Sequence, residues 1–245
     1  MKIEALPTQI FRAQENLIAF LIKHIPLTFV QEGTILAVTS KLVSLEEGNF
    51  APRKMGLSPE DERAQKKALV QKEADVFLSE TKFFVQLTLK HGLLLPSAGI
   101  DESNSEADHF ILYPKNPYES AKTIGLALRT HYSVKKLGII LTDSHSSPLR
   151  VGVTGIGLAH FGFKATRNLI GQKDLFGRKL KTTYVNVLDA LSAAAVFEMG
   201  ESNDQKPIAV ISGAQGIEFT DTSSPEEIQI RPQDDLYFGI LKSTH

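Results

Sequence analysis

Apolar positions recur at helical spacing through QENLIAFLIKHI at 14–25 and stop at Pro26, which predicts a helix there. Residues 33–45, GTILAVTSKLVSL, run apolar and β-branched with a polar break at Thr39-Ser40-Lys41. That pattern predicts a buried strand followed by a turn or a second strand. Residues 50–57 read as a loop. SPEDE at 58–62 opens a helix, with Ser58 as N-cap, Pro59 in the first helical position and acids in the first turn; the pattern carries it to about Glu80. Residues 82–96 alternate as strands and predict a hairpin turning at Lys90-His91-Gly92. HFILY at 109–113 reads as a short strand, and Asn116-Pro117 starts a helix to about Tyr132. LGIILT at 137–142 is the uninterrupted apolar run of a central strand.

Beyond it, VGVTGIGLAHFGF at 151–163 sets glycines among apolar residues, a pattern for close backbone packing. NVLDALSAAAVFEMG at 186–200 is a small-residue helix ending at Gly200, and PIAVISGA at 207–214 is a late strand. Residues 218–235 are loop-like, and DDLYFGIL predicts a closing helix. Interleaved strands and helices give an α/β or mixed α+β class. With no repeat and no clear linker, residues 1–245 read as one module of two closely packed subdomains.

Composition changes this picture little. The chain is 42% hydrophobic and 22% charged with a formal net charge of −1, so bulk charge gives no reason to expect a nucleic-acid or membrane partner. A local phosphate site stays open, because a few aimed donors suffice. The absence of cysteine excludes disulfides, thiolate metal sites and thiol nucleophiles. The N-terminal stretch lacks a signal-peptide core and no apolar run has the length of a membrane span, so a cytoplasmic protein is the expectation.

Candidate chemistry lies in oxygen-bearing side chains at the ends of apolar elements. No segment fits a Walker A or GxGxxG pattern, and the seven histidines lack metal-ligand spacing. GIDESN at 99–104, TDSHS at 142–146 and MGESND at 199–204 each follow a buried element. Taken singly, each is ordinary turn or cap chemistry. Together they offer the hard ligands that magnesium or manganese takes alongside a phosphate-bearing substrate. His145 reads as a surface or hydrogen-bonded histidine. DLFGRKL at 174–180 reads as a turn and strand with a solvated Arg178.

The order of these segments is more specific than any one of them. TSKLVSLEEG, AGIDESN, LYPKNPYESA, IILTDSHSSPLRVGVTGIGLAHFG, DLFGRKL, NVLDALSAAAVFEMGE and PIAVI, in that sequence, resemble the coenzyme F420-0:L-glutamate ligase (gamma-glutamyl ligase) family from about Leu17 to Ala214. SLEEG, LTLKHGLLLPSAGIDESN and TDSHSSPLR are similar to a bacterial branch of it. The resemblance implies a mixed α/β fold in an intertwined homodimer. It also implies a ligase that adds L-glutamate to an acceptor carboxylate using GTP (or ATP) with two Mg2+ or Mn2+ ions, potassium assisting. It assigns metal binding to Asp101, Asp143, Ser144 and Glu201, and makes Asp101, Asp143 and Glu201 the catalytic acids. Nucleotide contacts fall on Ser40, Lys41, Asn104, Met199, Gly200, Ser202 and Asn203. Arg150 and Arg178 are candidates for substrate carboxylates, while Glu102 and Ser103 read as solvent-facing turn residues.

Three positions depart from the family pattern. ALP replaces its N-terminal GLP element, Leu45 stands where many members carry lysine, and Ser144 stands where they carry threonine. The lost lysine leaves the nucleotide open between GTP and ATP, and the bacterial-branch segments leave the acceptor open between the deazaflavin precursor and folate, whose glutamate tail grows by the same chemistry. A nucleotide-binding protein without catalysis is a third reading.

Overall fold

The computed structural model describes residues 1–102 and 108–237. In chain order its elements are β1 (Lys2–Leu6), α1 (Leu17–His24), β2 (Thr34–Thr39), α2 (Ser40–Glu46), β3 (Phe50–Pro52), α3 (Pro59–Glu73), β4 (Val76–Glu80), β5 (Gln86–Lys90), β6 (Leu93–Pro96), β7 (His109–Ile111), α4 (Pro117–Tyr132), β8 (Leu137–Ser146), β9 (Val153–Phe161), β10 (Thr166–Asn168), β11 (Tyr184–Asn186), α5 (Val187–Met199) and β12 (Ile208–Ser212). The main sheet has the order β1-β12-β2-β8-β9, and β4-β5-β6 form a second, smaller sheet. Two two-stranded pairs, β3 with β7 and β10 with β11, complete the mixed α/β architecture.

Helices cover both faces of the main sheet. Leu36, Val38, Ile139, Leu141 and Phe161 point to one side and are buried with Leu17 and Leu21 of α1 and Ile124 and Leu128 of α4. Ile35, Ala37, Ile140, Ala209 and Ile211 point to the other and pack on Leu188, Leu191 and Ala195 of α5. Strands buried on both faces need no polar alternation, which is why TILAVT and LGIIL read as continuous apolar runs. On β9 the glycines make room for α5. A Cβ on Gly155 would lie 2.3 Å from the Ser192 carbonyl oxygen, and one on Gly157 would lie 2.3 Å from Leu188 Cγ.

Several elements match their sequence signals. Ser58 caps α3 by accepting from the Asp61 amide, with Pro59 at its first position. α4 spans Pro117 to Tyr132 as expected. Lys90 pairs with Leu93 across a two-residue turn, His91-Gly92, both at positive φ (48° and 76°), the left-handed turn that suits strand twist.

Others differ. α3 stops at Glu73 rather than Glu80, because VFLSE pairs with β5 and becomes β4. Beyond Thr39, where β2 ends, the chain makes neither the expected turn nor a second strand. Ser40 starts the seven-residue helix α2, which buries Leu42 and Val43 and uses Glu46 to accept the Leu17 amide at 2.8 Å, so α2 supports the start of α1. The expected loop at 50–57 contributes β3, held by β7. DLFGRKL forms the expected turn, closed by backbone bonds such as Asp174 N donating to the Arg178 carbonyl at 2.8 Å, but the expected strand does not form. Pro232–Asp234 forms one short 3-10 turn, and the rest of the expected closing helix, from residue 238 on, lies outside the described residues. Among the described residues, no helix is long and apolar enough to cross a membrane.

Candidate active site

The site follows from strand direction. β2 and β8 are parallel neighbours in the middle of the sheet, with Thr39 opposite Thr142. The carboxyl end of β2 therefore lies beside the C-terminal half of β8, the side of the sheet where open α/β sheets gather ligands. Ser40 and Lys41 leave the end of β2, whereas β8 runs on beside β9 and carries Asp143 and Ser144 past that end. β12 runs antiparallel to β2, so the segment entering it, 200–207, arrives at the same edge, and the Thr39 amide donates to the Pro207 carbonyl at 3.0 Å. β1 ends beside the start of β12, and the chain beyond Leu6 is tied there by Thr8 N donating to the Gln205 carbonyl at 2.9 Å.

Asp101 comes from the smaller sheet. Between β6 and Asp101 the chain makes a left-handed turn, with φ of 51°, 54° and 70° at Ser97, Ala98 and Gly99. Serine and alanine disfavour that region, so two strained residues are held by tertiary contacts. The Ala98 amide donates to Thr88 Oγ1 at 2.8 Å, and that hydroxyl donates to the Leu95 carbonyl at 2.7 Å. Asp101 is then bridged to Ile111 by reciprocal backbone bonds of 3.0 and 2.9 Å. Its neighbour Glu102, expected to face solvent, is instead half-buried and ion-paired with Arg53 and Lys66, which anchors the chain beside the site.

These ends enclose a cavity of about 610 Å³. Lys41, Asp101, Asp143, Ser144, Met199, Gly200, Glu201, Ser202 and Asn203 all line it, and Ser40 lines a small adjoining cavity with Lys41, Asp101 and Asp143. Every described residue assigned by the resemblance is thus brought to one place; Asn104 lies outside the described residues. Arg150 and Arg178 do not line the cavity. Arg178 is an exposed partner of Asp174, at 3.1 Å.

Electrostatics in the cavity are unbalanced toward negative charge. Lys41 Nζ lies 2.6 Å from Asp101 Oδ2. Asp143 is pushed up to about 6, chiefly by burial and further by the charges of Asp101 and Glu201, while the Ser144 amide (2.8 Å to Oδ1) and Lys41 oppose the rise. Burial also raises Glu201, against a hydrogen bond from the Ser144 side chain and the charge of Lys41. Asp143 and Glu201, which hold their protons more tightly than usual, are groups whose ionised forms a nearby cation would favour. Among the described residues no three acids or histidines form a ready metal cage. Asp101, Asp143 and Glu201 nonetheless bring hard oxygen donors to one cavity, the donor chemistry that magnesium-type ions take.

The remaining wall carries no sequence motif. Gln9, Phe11 and Arg12 line the cavity from the N-terminal segment, and Phe50 and His109 from β3 and β7, their rings 4.8 Å apart edge to face. Asp204 organises the 200–205 loop by accepting from the Ser202 hydroxyl at 3.0 Å. Only the ALP resemblance hinted at the N-terminal wall; strand pairing brings it there.

Comparison with known proteins adds a separate line. The sequence pattern of a family described as F420-0:Gamma-glutamyl ligase matches residues 5–213. A Methanocaldococcus jannaschii protein named Coenzyme F420:L-glutamate ligase is 34% identical over 224 residues, 87% of this chain and 88% of its own. A Methanosarcina mazei protein of the same name is 33% identical over 255 residues, covering 98% and 97%. One from Methanococcus maripaludis is 32% identical over 231 residues, 90% of each chain.

Proposed function

The chain belongs to the F420-0:gamma-glutamyl ligase family, and from that premise we propose that it is an acid–amino-acid ligase that joins the amine of L-glutamate to a carboxylate of coenzyme F420-0. The observation that carries this reading is the convergence of Lys41, Asp101, Asp143, Ser144 and Glu201 on one cavity beside the end of β2 and the C-terminal half of β8.

A carboxylate does not condense with an amine until one of its oxygens becomes a leaving group. In the proposed route the acceptor carboxylate attacks the terminal phosphorus of GTP, or of ATP, and releases the nucleoside diphosphate. The glutamate amine then attacks the acyl carbon, and inorganic phosphate leaves as the amide forms. The protein's tasks are alignment and charge neutralisation. Lys41, at the start of α2, meets phosphate as a point charge. Ser40, Met199, Gly200, Ser202 and Asn203 bound the nucleotide side. Asp101 and Asp143 would hold one divalent ion, and Ser144 with Glu201 a second; such ions supply neutralisation of phosphate charge.

A homodimer is part of the same reading. The β8–β9 connection presents Leu149 and Val151 wholly to solvent, and Leu175, Phe176 of the 174–180 turn and Phe197 of α5 are more than 80% exposed. Large apolar side chains exposed to that degree fit a surface covered by a second copy.

Acceptor and nucleotide are tested together by incubating the protein with glutamate, Mn2+ and either coenzyme F420-0 or folate, each with GTP or ATP, and identifying products by mass spectrometry. Glutamylated deazaflavin is the expected product. Glutamylated folate alone would move the assignment to folate, and nucleotide binding without either product would favour the non-catalytic reading.

A further inference from the structure

The small cavity of about 10 Å³ behind the acids is bounded by Ser40, Lys41, Asp101, Asp143 and Tyr113. It has room for about one water molecule. Tyr113 is only 5% exposed, and its hydroxyl is buried without a hydrogen-bond partner among the described residues. An orphaned buried hydroxyl is costly and calls for an explanation.

The ring is held firmly. Its backbone carbonyl accepts from Asn49 Nδ2 at 2.7 Å, and its ring lies 5.2 Å from that of His91. Gly99 leaves the space it occupies, since a Cβ there would sit 3.0 Å from the ring. Tyr113 is also two residues beyond Ile111, the residue bridged to Asp101. Burial, reinforced by the charge of Asp143, pushes the phenol above its ordinary range, so it stays protonated and available as a donor.

We propose that Tyr113 is a positioning residue, whose hydroxyl donates toward Asp143 across this cavity, through the single water it admits, and so orients the carboxylate for a divalent cation. This rests on the metal reading above. A donor behind a ligand carboxylate fixes its direction, and loss of such a partner weakens metal affinity by about tenfold or more.

The test is Mn2+ titration followed by electron paramagnetic resonance, with thermal melting in parallel, on the wild type, Tyr113→Phe, Asp143→Asn and Leu158→Ala. Leu158 is buried in the same cluster as Tyr113 and controls for packing. The metal reading is checked first by the wild type binding Mn2+ and Asp143→Asn losing it; a wild type that binds none overturns both ideas. Given binding, Tyr113→Phe is expected to weaken it about tenfold while Leu158→Ala leaves it unchanged. Wild-type affinity in Tyr113→Phe, or an equal loss in Leu158→Ala, would overturn the role of the hydroxyl.

Discussion

Replacing Asp143 by asparagine should make the metal-free protein more stable while removing a ligand of the proposed metal site. In the folded chain the Asp143 carboxyl is pushed up to about 6 from its ordinary 3.8, mainly by burial. A folded value above the unfolded one means that the native state holds its proton more tightly. The resulting penalty is absent below pH 3.8, grows between 3.8 and about 6, and is fully present above. At about 1.4 kcal/mol per pH unit, that interval corresponds to about 3 kcal/mol at pH 8. Asparagine keeps the shape without the charge and so recovers up to that amount. In a chain of this size it would raise the melting temperature by up to roughly 6–12 °C. Melting curves of both proteins in EDTA from pH 4 to pH 8 provide the assay. The two should melt together near pH 4 and separate as pH rises through 6, and excess Mn2+ should close the gap at pH 8 by stabilising only the wild type. An asparagine variant melting at or below wild type at pH 8, or a gap independent of pH, would refute the argument.

Two further outcomes follow from packing and surface. Gly155→Ala drives a Cβ to within 2.3 Å of a backbone oxygen of α5, so α5 must shift; a loss of about 1–3 kcal/mol in denaturant unfolding is expected. Because α5 leads directly into Gly200 and Glu201, glutamate transfer should fall as well. Val151→Glu puts a charge on the exposed β8–β9 connection and should convert a sedimenting dimer into a monomer, whereas an unaltered sedimentation coefficient would contradict the proposed interface.

What could be read from the sequence was what local chemistry decides. Asn116-Pro117, Ser58-Pro59 and His91-Gly92 specify their helix starts and turn through short-range geometry, and the apolar runs of β2 and β8 follow from burial on both faces. The acids were visible because each follows an apolar stretch, LLLP of β6 for Asp101, LGIIL of β8 for Asp143 and α5 for Glu201, in a familiar order. Other features depend on contacts between distant segments. Ser40 opens a helix with no side-chain cap, stabilised by burying Leu42 and Val43. The aim of Asp101 depends on a left-handed turn through Ser97 and Ala98, residues with no local preference for it. The partners of Glu102 lie on β3's C-terminal flank and on α3, and the N-terminal wall of the cavity arrives through β1–β12 pairing. Tyr113 was inside a recognisable segment, yet nothing local distinguished it from a core aromatic.

In the proposed reading, acids from separate elements build one glutamate-ligating site. It is tested most directly by incorporation of labelled L-glutamate into coenzyme F420-0 by the purified protein with GTP and Mn2+, beside Asp101→Asn. The wild type should form a labelled γ-glutamyl amide that depends on both nucleotide and metal, and Asp101→Asn should form none. No labelled product from the wild type, or equal incorporation by Asp101→Asn, would contradict the account.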